Sequence, residues 1–296
     1  MVPVPMMPMF MPARLAGLNF PVKGKSARFV AAAALRTLLD REALIVKVVA
    51  MRRTGTVHTS HQSLEIWKSD LATEFRVAGA LHATYHRKRF LTGLAWVLIA
   101  AAALLRKAGP PRSILMLGLA GGTAYRVLRH LLPDCKLTAI DIDAEIVGLA
   151  RDHMALDDLG IEVILGDAYA WLERNKRTFD VVFDDIYLAG KTDVFRPQAW
   201  NPELMVHLRR AVAPGGLLAV NLVTGAGHRA MQSKTRRILC SEFPRVRSLR
   251  TAEGMNEVLV AGESVATSRQ LESYCEHFAD WRDRMYWNRI DVRRIS

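Results

Sequence analysis

Short apolar runs, each closed by glycine or aspartate, alternate with stretches of helical periodicity through the middle of this chain. Ile114–Leu117, Leu137–Ile140, Ile161–Leu165, Thr178–Phe183 and Gly216–Val223 are such runs. Their length and their flanking turn residues suit strands buried on both faces. Helical patterns over Tyr125–Leu132 and Pro202–Val212 fill two of the gaps. Strands alternating with helices predict a parallel sheet covered on both sides, with ligands at the carboxyl ends of its strands. Arg247–Arg250 and Glu257–Ala261, joined by the short turn 253–256, predict two further strands.

The first β-α-β unit carries the chemistry. Its opening turn is Gly118-Leu119-Ala120-Gly121-Gly122-Thr123, and its second strand ends on Asp141, 23 residues beyond Gly118. Glycines let a nucleoside-containing cofactor approach the backbone, and an acid at that spacing can accept hydrogen bonds from a ribose diol. A dinucleotide fingerprint needs glycine at the third and sixth loop positions, where Ala120 and Thr123 stand. The adjacent Gly121 and Gly122 are expected to leave room for a bulky group. No Walker-type loop occurs. Three more acids follow the next two strands: Asp167 after the third, and Asp184 and Asp185 after the fourth. Each could simply cap the next helix, but three at successive strand ends beside a glycine loop predict a shared site.

The motifs LGLAGGT, AIDID, GDAYAWL, FDVVFDD and PGGLLAVNL, in that order, resemble a class I S-adenosylmethionine-dependent transferase. With EFRVAGALHATYHRKRFLTGLAW upstream and NEVLVAG downstream, the chain is similar more narrowly to the spermidine-synthase-like branch. The resemblance runs from about Gln62 to Ala261. It implies an α/β fold: a Rossmann-like, seven-stranded, mostly parallel sheet with the last strand antiparallel, preceded by a small β-rich N-terminal domain. It also implies that Gly118, Leu119, Ala120, Gly121, Gly122 and Thr123 face the methionine portion of the cofactor. Asp141, with Ile142 beside it, would hold the ribose, and Asp167, with Ala168, the adenine. Asp185 would sit where the acceptor reacts.

This chain also departs from that branch. The aminopropyltransferase loop GGGDGG has an aspartate for the cofactor amine; the loop here is one residue shorter and has no acid. The D-[ST]-[ST]-D-P motif after the fourth strand is replaced, with Leu188 and Ala189 where Asp-Pro would stand. A polyamine carries several charges and needs matching carboxylates when buried. Methyl transfer from S-adenosylmethionine to an unknown small-molecule acceptor is therefore the favoured reading. The alternatives are aminopropyl transfer from decarboxylated S-adenosylmethionine and a cofactor-binding protein without turnover. Adjacent strand residues point to opposite faces, so one of Asp184 and Asp185 is expected to look into the cleft, and the resemblance implies that it is Asp185. Tyr187 could close over the site.

Composition changes the picture only at its edges. The chain has 296 residues and a formal net charge of +12. Residues 1–50 hold seven Lys/Arg and two acids and read as a poorly ordered or marginally helical extension. A small N-terminal domain over 51–108 ends in a buried helix, and the catalytic domain spans 109–296, with Gly109-Pro110-Pro111 at the boundary. Phe90–Leu105 is sixteen residues without a charge, shorter than a membrane span; no membrane association is expected. Cys135, Cys240 and Cys275 show no CxxC spacing, which predicts reduced thiols in a cytoplasm and no metal site. Seven Lys/Arg against one acid between Arg229 and Arg250, and the basic-aromatic segment 281–296, could track phosphates and stack bases. A solvated helix face and a docked tail are the favoured account, with an RNA methyltransferase as the minority one. The resemblance suggests a homodimer.

Overall fold

The structure is a computed structural model and describes residues 51–190 and 194–296. The expected N-terminal extension lies outside the described residues. Four strands, β1 (Arg52–His58), β2 (Ser63–Lys68), β3 (Ala72–Val77) and β4 (Ala80–His86), form an antiparallel sheet in sequence order. Ala78 and Gly79 turn β3 into β4 with φ of 49° and 80°, the left-handed pair that matches the twist of a tight hairpin. Leu64, Ile66, Phe75, Val77 and Ala83 are its buried residues and join the main core.

Helix α1 (Ala95–Ala103) has no charged residue, and every position from Val97 to Ala103 is buried. An all-apolar helix of this kind belongs inside a protein. Here it packs against helix α2 (Thr123–Leu131) and the centre of the main sheet, so it belongs to the larger layer structure and not to the small sheet. Downstream, Asp180 accepts from the backbone N–H of Arg112 at 2.7 Å and pairs with Arg106 at 3.1 Å. Those bonds hold the boundary segment onto the sheet.

The main sheet has eight strands. They are β5 (Ser113–Leu117), β6 (Lys136–Asp141), β7 (Ile161–Leu165), β8 (Phe179–Asp184), β11 (Val212–Val223), β12 (Arg245–Arg250), β13 (Asn256–Gly262) and β14 (Asp291–Arg294). Two-residue strands β9 (Leu188–Ala189) and β10 (Val194–Phe195) pair with each other outside it. The order is β14-β12-β13-β11-β8-β5-β6-β7. Strands β7, β6, β5, β8 and β11 run parallel, and β13 is antiparallel to both of its neighbours. The edge strand β14 is one more than the seven expected; it pairs antiparallel with β12.

Alternation along the strands divides the core in two. Ile114, Met116, Val181 and Phe183 face the side covered by α1, α2 and α3 (Ala144–Met154). Leu115, Leu117, Val182 and Val220 face the side covered by α4 (Ala168–Arg174), α5 (Pro202–Ala211) and α6 (Arg229–Glu242). Short α7 (Arg269–Glu272) and α8 (Trp281–Asn288) complete the chain. Four of the described helices start on side-chain caps: Asp143 accepts from Ile146 N–H, Asp167 from Tyr169 and Ala170, Asn201 from Leu204, and Asp280 from Arg282.

The basic segment 229–250 is partly structural. Arg236 and Arg250 converge on the buried carboxylate of Glu257, at 2.7 and 3.0 Å. In α8, Trp287 is buried and donates through Nε1 to Leu271 O at 2.8 Å, so this ring is not available for stacking. The three cysteines are free. Among the described residues no helix is long and apolar enough to cross a membrane, and no cluster of three metal-ligating side chains occurs.

Candidate functional site

The carboxyl ends of β5, β6, β7, β8 and β11 open into a cavity of about 570 Å³, roofed by residues of the small sheet and by the start of α1. Gly118, Leu119, Ala120, Asp141, Ile142, Asp167, Ala168, Asp185 and Tyr187 all line it. The parallel register brings these residues, far apart in sequence, to one edge of the sheet.

The glycine loop works differently from the expectation. Gly118 has φ of 89°, and a Cβ there would sit 2.7 Å from the backbone oxygen of Asp185. Its glycine is therefore demanded by the close approach of the next strand's turn. Gly121 and Gly122 face packed side chains instead of the cavity. A Cβ on Gly121 would meet Met154 Sδ at 2.4 Å and Ala83 Cβ at 2.5 Å, and one on Gly122 would meet Leu156 Cδ1 at 2.5 Å. Thr123 also turns away: its hydroxyl accepts from Thr84 N–H and donates to Thr84 O, both at 2.9 Å, tying the loop to β4. These three residues do not line the cavity, because the small sheet and the segment after α3 occupy the space that the adjacent glycines were expected to leave for a ligand.

Asp141 organises the loop as well as facing the cavity. Its Oδ2 accepts from Leu119 and Ala120 N–H at 2.8 and 2.9 Å, and its Oδ1 from Asp143 N–H at 2.9 Å. Ala120 is held at φ of 48°, a conformation costly to a residue with a Cβ. Asp167 does cap α4, through Oδ1 alone, at 2.8 and 3.0 Å. Capping and cavity lining coexist in this residue.

The paired aspartates have separate surroundings. Asp184 is fully buried, does not line the cavity, and forms a 2.7 Å pair with Arg196, itself buried. Trp200 Nε1 donates to the same oxygen at 2.5 Å, and the Tyr169 hydroxyl lies at 3.3 Å from the other. Burial alone would lower the Arg196 pKa, but the Asp184 carboxylate together with Tyr187 and Tyr169 raises it. This is a structural ion pair, so Asp184 is withdrawn as a reacting group. Asp185 points the other way. It accepts from Asn221 Nδ2 at 2.7 Å, and Asn221 Oδ1 in turn accepts from Asn256 Nδ2 at 3.0 Å. Burial, opposed by the Asn221 bond and the Arg196 charge, raises its pKa to about 6. Tyr187 is bolted down and cannot swing over the site: its hydroxyl donates to Asn221 O and accepts from Val223 N–H, both at 3.0 Å.

Sequence reasoning missed several lining residues. Gln62, His82 and Trp96 come from the small sheet and α1, and Asn221, Glu253, Met255 and Asn256 from β11 and the β12–β13 turn. Burial lowers the His82 pKa against the pull of Asp141 and Asp143, which favours the neutral imidazole. Gln62 Oε1 is a buried acceptor with no partner among the described residues. Gln62 stands outside the quoted motifs, and nothing in the segment 74–96 singled out His82 or Trp96; folding of the small sheet over the cleft brings them in.

Known proteins match this arrangement. A family model described as a methyltransferase domain matches residues 114–216. Over 158 residues the chain is 29% identical to an eEF1A lysine and N-terminal methyltransferase homolog of Drosophila pseudoobscura pseudoobscura, covering 50% of this chain and 23% of that protein. Over 134 residues it is 32% identical to a probable polyamine aminopropyl transferase of Bifidobacterium longum, covering 45% and 28%. The chain thus spans about a quarter of the length of these two curated relatives. The crystal structure of spermidine synthase from Thermotoga maritima is similar in fold, with a TM-score of 0.60 at 17% identity, covering 78% of this chain and 80% of that one. The fold is that of class I S-adenosylmethionine-dependent transferases. In sequence the chain is similar both to a methyltransferase and to an aminopropyltransferase.

Proposed function

We propose that this chain is a methyltransferase that uses S-adenosylmethionine and a small-molecule acceptor. The observation that carries methyl over aminopropyl transfer is the make-up of the loop where it meets the cavity. Gly118, Leu119 and Ala120 offer backbone and apolar side chains there, and no acid to neutralise the lone ammonium of a decarboxylated donor. An intact donor brings its own carboxylate beside that ammonium, which suits a wall with the neutral His82 and Gln62.

The residues present fit a nucleoside. Gln62 Oε1 is an orphaned acceptor, and burying one without a partner costs about 1–3 kcal/mol, a cost that a ligand donor would relieve. Asp141 Oδ1 has one donor from the chain and can accept a ribose hydroxyl as its second. Asp167 uses Oδ1 for its helix cap, which leaves Oδ2 for an adenine amino group. Bound S-adenosylmethionine would supply a sulfonium-activated methyl carbon. The chain's part is to orient the acceptor against it, which can provide most of the acceleration, and to take the acceptor's proton on Asp185. A pKa of about 6 leaves Asp185 mostly ionised at neutral pH and basic enough to serve.

Calorimetric titration of the full chain with S-adenosylmethionine, its decarboxylated form and NAD tests this. Binding of the intact donor in preference to the other two is expected. Preference for the decarboxylated form would favour aminopropyl transfer, the activity in the name of the Bifidobacterium longum relative. Silence toward both in a folded sample would refute the cofactor assignment.

A further inference from the structure

We infer that the acceptor is a neutral, largely apolar small molecule bearing a hydroxyl or thiol, and not a polycation. This rests on the transferase reading of the cavity, but not on which group is transferred.

The inference comes from the charges at the acceptor end. That end is built by the residues after β8, the end of β11, the β12–β13 turn and the start of α1. Among the described residues two acids line it, Asp185 and Glu253. Glu253 already has a cation, the guanidinium of Arg289 in an ion pair. A further acid behind the wall, Asp184, is matched by Arg196 inside the protein. Among the described residues one carboxylate without a cationic partner is left, Asp185, and its neighbour Asn221 satisfies it with a neutral amide.

A diamine would bring two ammonium groups to this one unmatched carboxylate. The second would be stripped of water against Leu94, Trp96, Leu188, Val223 and Met255, which also line the cavity, and an unpaired charge in such surroundings is strongly disfavoured. The burial that raises the Asp185 pKa points the same way, since a site built for cations would lower the pKa of its acid. A neutral acceptor avoids the cost, and its long axis can lie along the apolar wall.

The nucleophile must then lose a proton as it reacts. Tyr187 has both its hydroxyl roles occupied by Asn221 O and Val223 N–H, so Asp185 is the proton acceptor at this end. The acceptor's oxygen or sulfur lone pair forms the new bond to carbon. The donor's carbon–sulfur bond breaks with its electron pair retained on sulfur, and the acceptor's proton passes to the Asp185 carboxylate.

The test uses the full chain and two six-carbon probes of matched length, 6-mercapto-1-hexanol and 1,6-diaminohexane. Titration with S-adenosylhomocysteine comes first. If it does not bind, the transferase reading fails and takes the inference with it. With the nucleoside site saturated, the neutral probe is expected to bind about tenfold tighter than the diamine or better, a difference of about 1.4 kcal/mol. Replacing Arg289 by Gln, at an exposed position, releases the Glu253 charge. That variant should bind the diamine several-fold more tightly and the neutral probe unchanged. Equal or tighter binding of the diamine by the unmodified chain overturns the inference, and so does failure of both probes on a nucleoside-saturated protein.

Discussion

Arg196→Met removes one partner of the Asp184 pair and leaves the other charge stranded in the core. Asp184 has no exposed surface, and the Arg196 side chain is 2% exposed. Solvent therefore cannot replace the lost cation. Breaking such a pair from one side costs about 3–5 kcal/mol. Arg196 also donates to Asp184 O at 3.0 Å and to Asn221 O at 2.8 Å, so two backbone acceptors lose a partner, which puts the expectation at the upper end. For a body of this size each kcal/mol moves the melting temperature by about 2–4 °C, giving a fall of about 6–20 °C by thermal denaturation at pH 7.5. Asp184→Asn in the Arg196→Met background keeps an acceptor for Trp200 Nε1 while deleting the stranded charge, and should recover part of the loss. A melting temperature within about 3 °C of the unmodified chain for Arg196→Met would refute the view that this pair is a structural pin under the cavity floor.

Asp185 should give the rate an acid limb. Activity, measured as kcat/KM, is expected to fall as pH drops through about 6, and Asp185→Asn should abolish turnover while leaving S-adenosylhomocysteine affinity within about twofold. The stability effect has the opposite sense. A carboxyl whose folded pKa lies above its unfolded one disfavours the folded state when ionised, fully above about pH 6, with the cost fading as pH falls toward 3.8. Asp185→Asn should therefore stabilise at pH 8 by at most about 2–3 kcal/mol and less at pH 4; equal effects at both would contradict the burial argument. Gly118→Ala must move the backbone of Asp185, 2.7 Å from the added Cβ, and strain a φ of 89°. It should cost about 1–3 kcal/mol or more and weaken nucleoside binding, and an unchanged titration would show that the loop and Asp185 are not rigidly coupled.

The sheet was legible because its buried strands are continuous apolar runs and its turns are marked by glycine and aspartate. Strand β14 was not. Its sequence, Asp-Val-Arg-Arg, has one apolar residue, and it is held by backbone pairing to β12, which no side-chain periodicity reports. The acids at the strand ends were found by position. What each one touches depends on contacts that no local pattern encodes. Arg196 and Trp200 come from a loop that offered no ligand feature in the sequence, yet both reach Asp184. Gly121 and Gly122 looked like room for a ligand because the sequence does not reveal that Ala83, Met154 and Leu156 fill the space beside them. Strand alternation limited the cleft-facing acid to one of Asp184 and Asp185, the resemblance pointed to Asp185, and in the structure Asp185 lines the cavity while Asp184 does not.

The double hydrogen bond between Thr123 and Thr84 makes the small sheet a template for the glycine loop. An exchange of the β3–β4 hairpin, whose Ala80, Leu81 and His82 line the cavity, would therefore also reshape the loop beside it. In a mutational survey, substitutions at Ala83 or Thr123 would thus score as ligand-binding defects although neither side chain lines the cavity. Grafting this hairpin between relatives would demand that loop and hairpin travel together as one cassette.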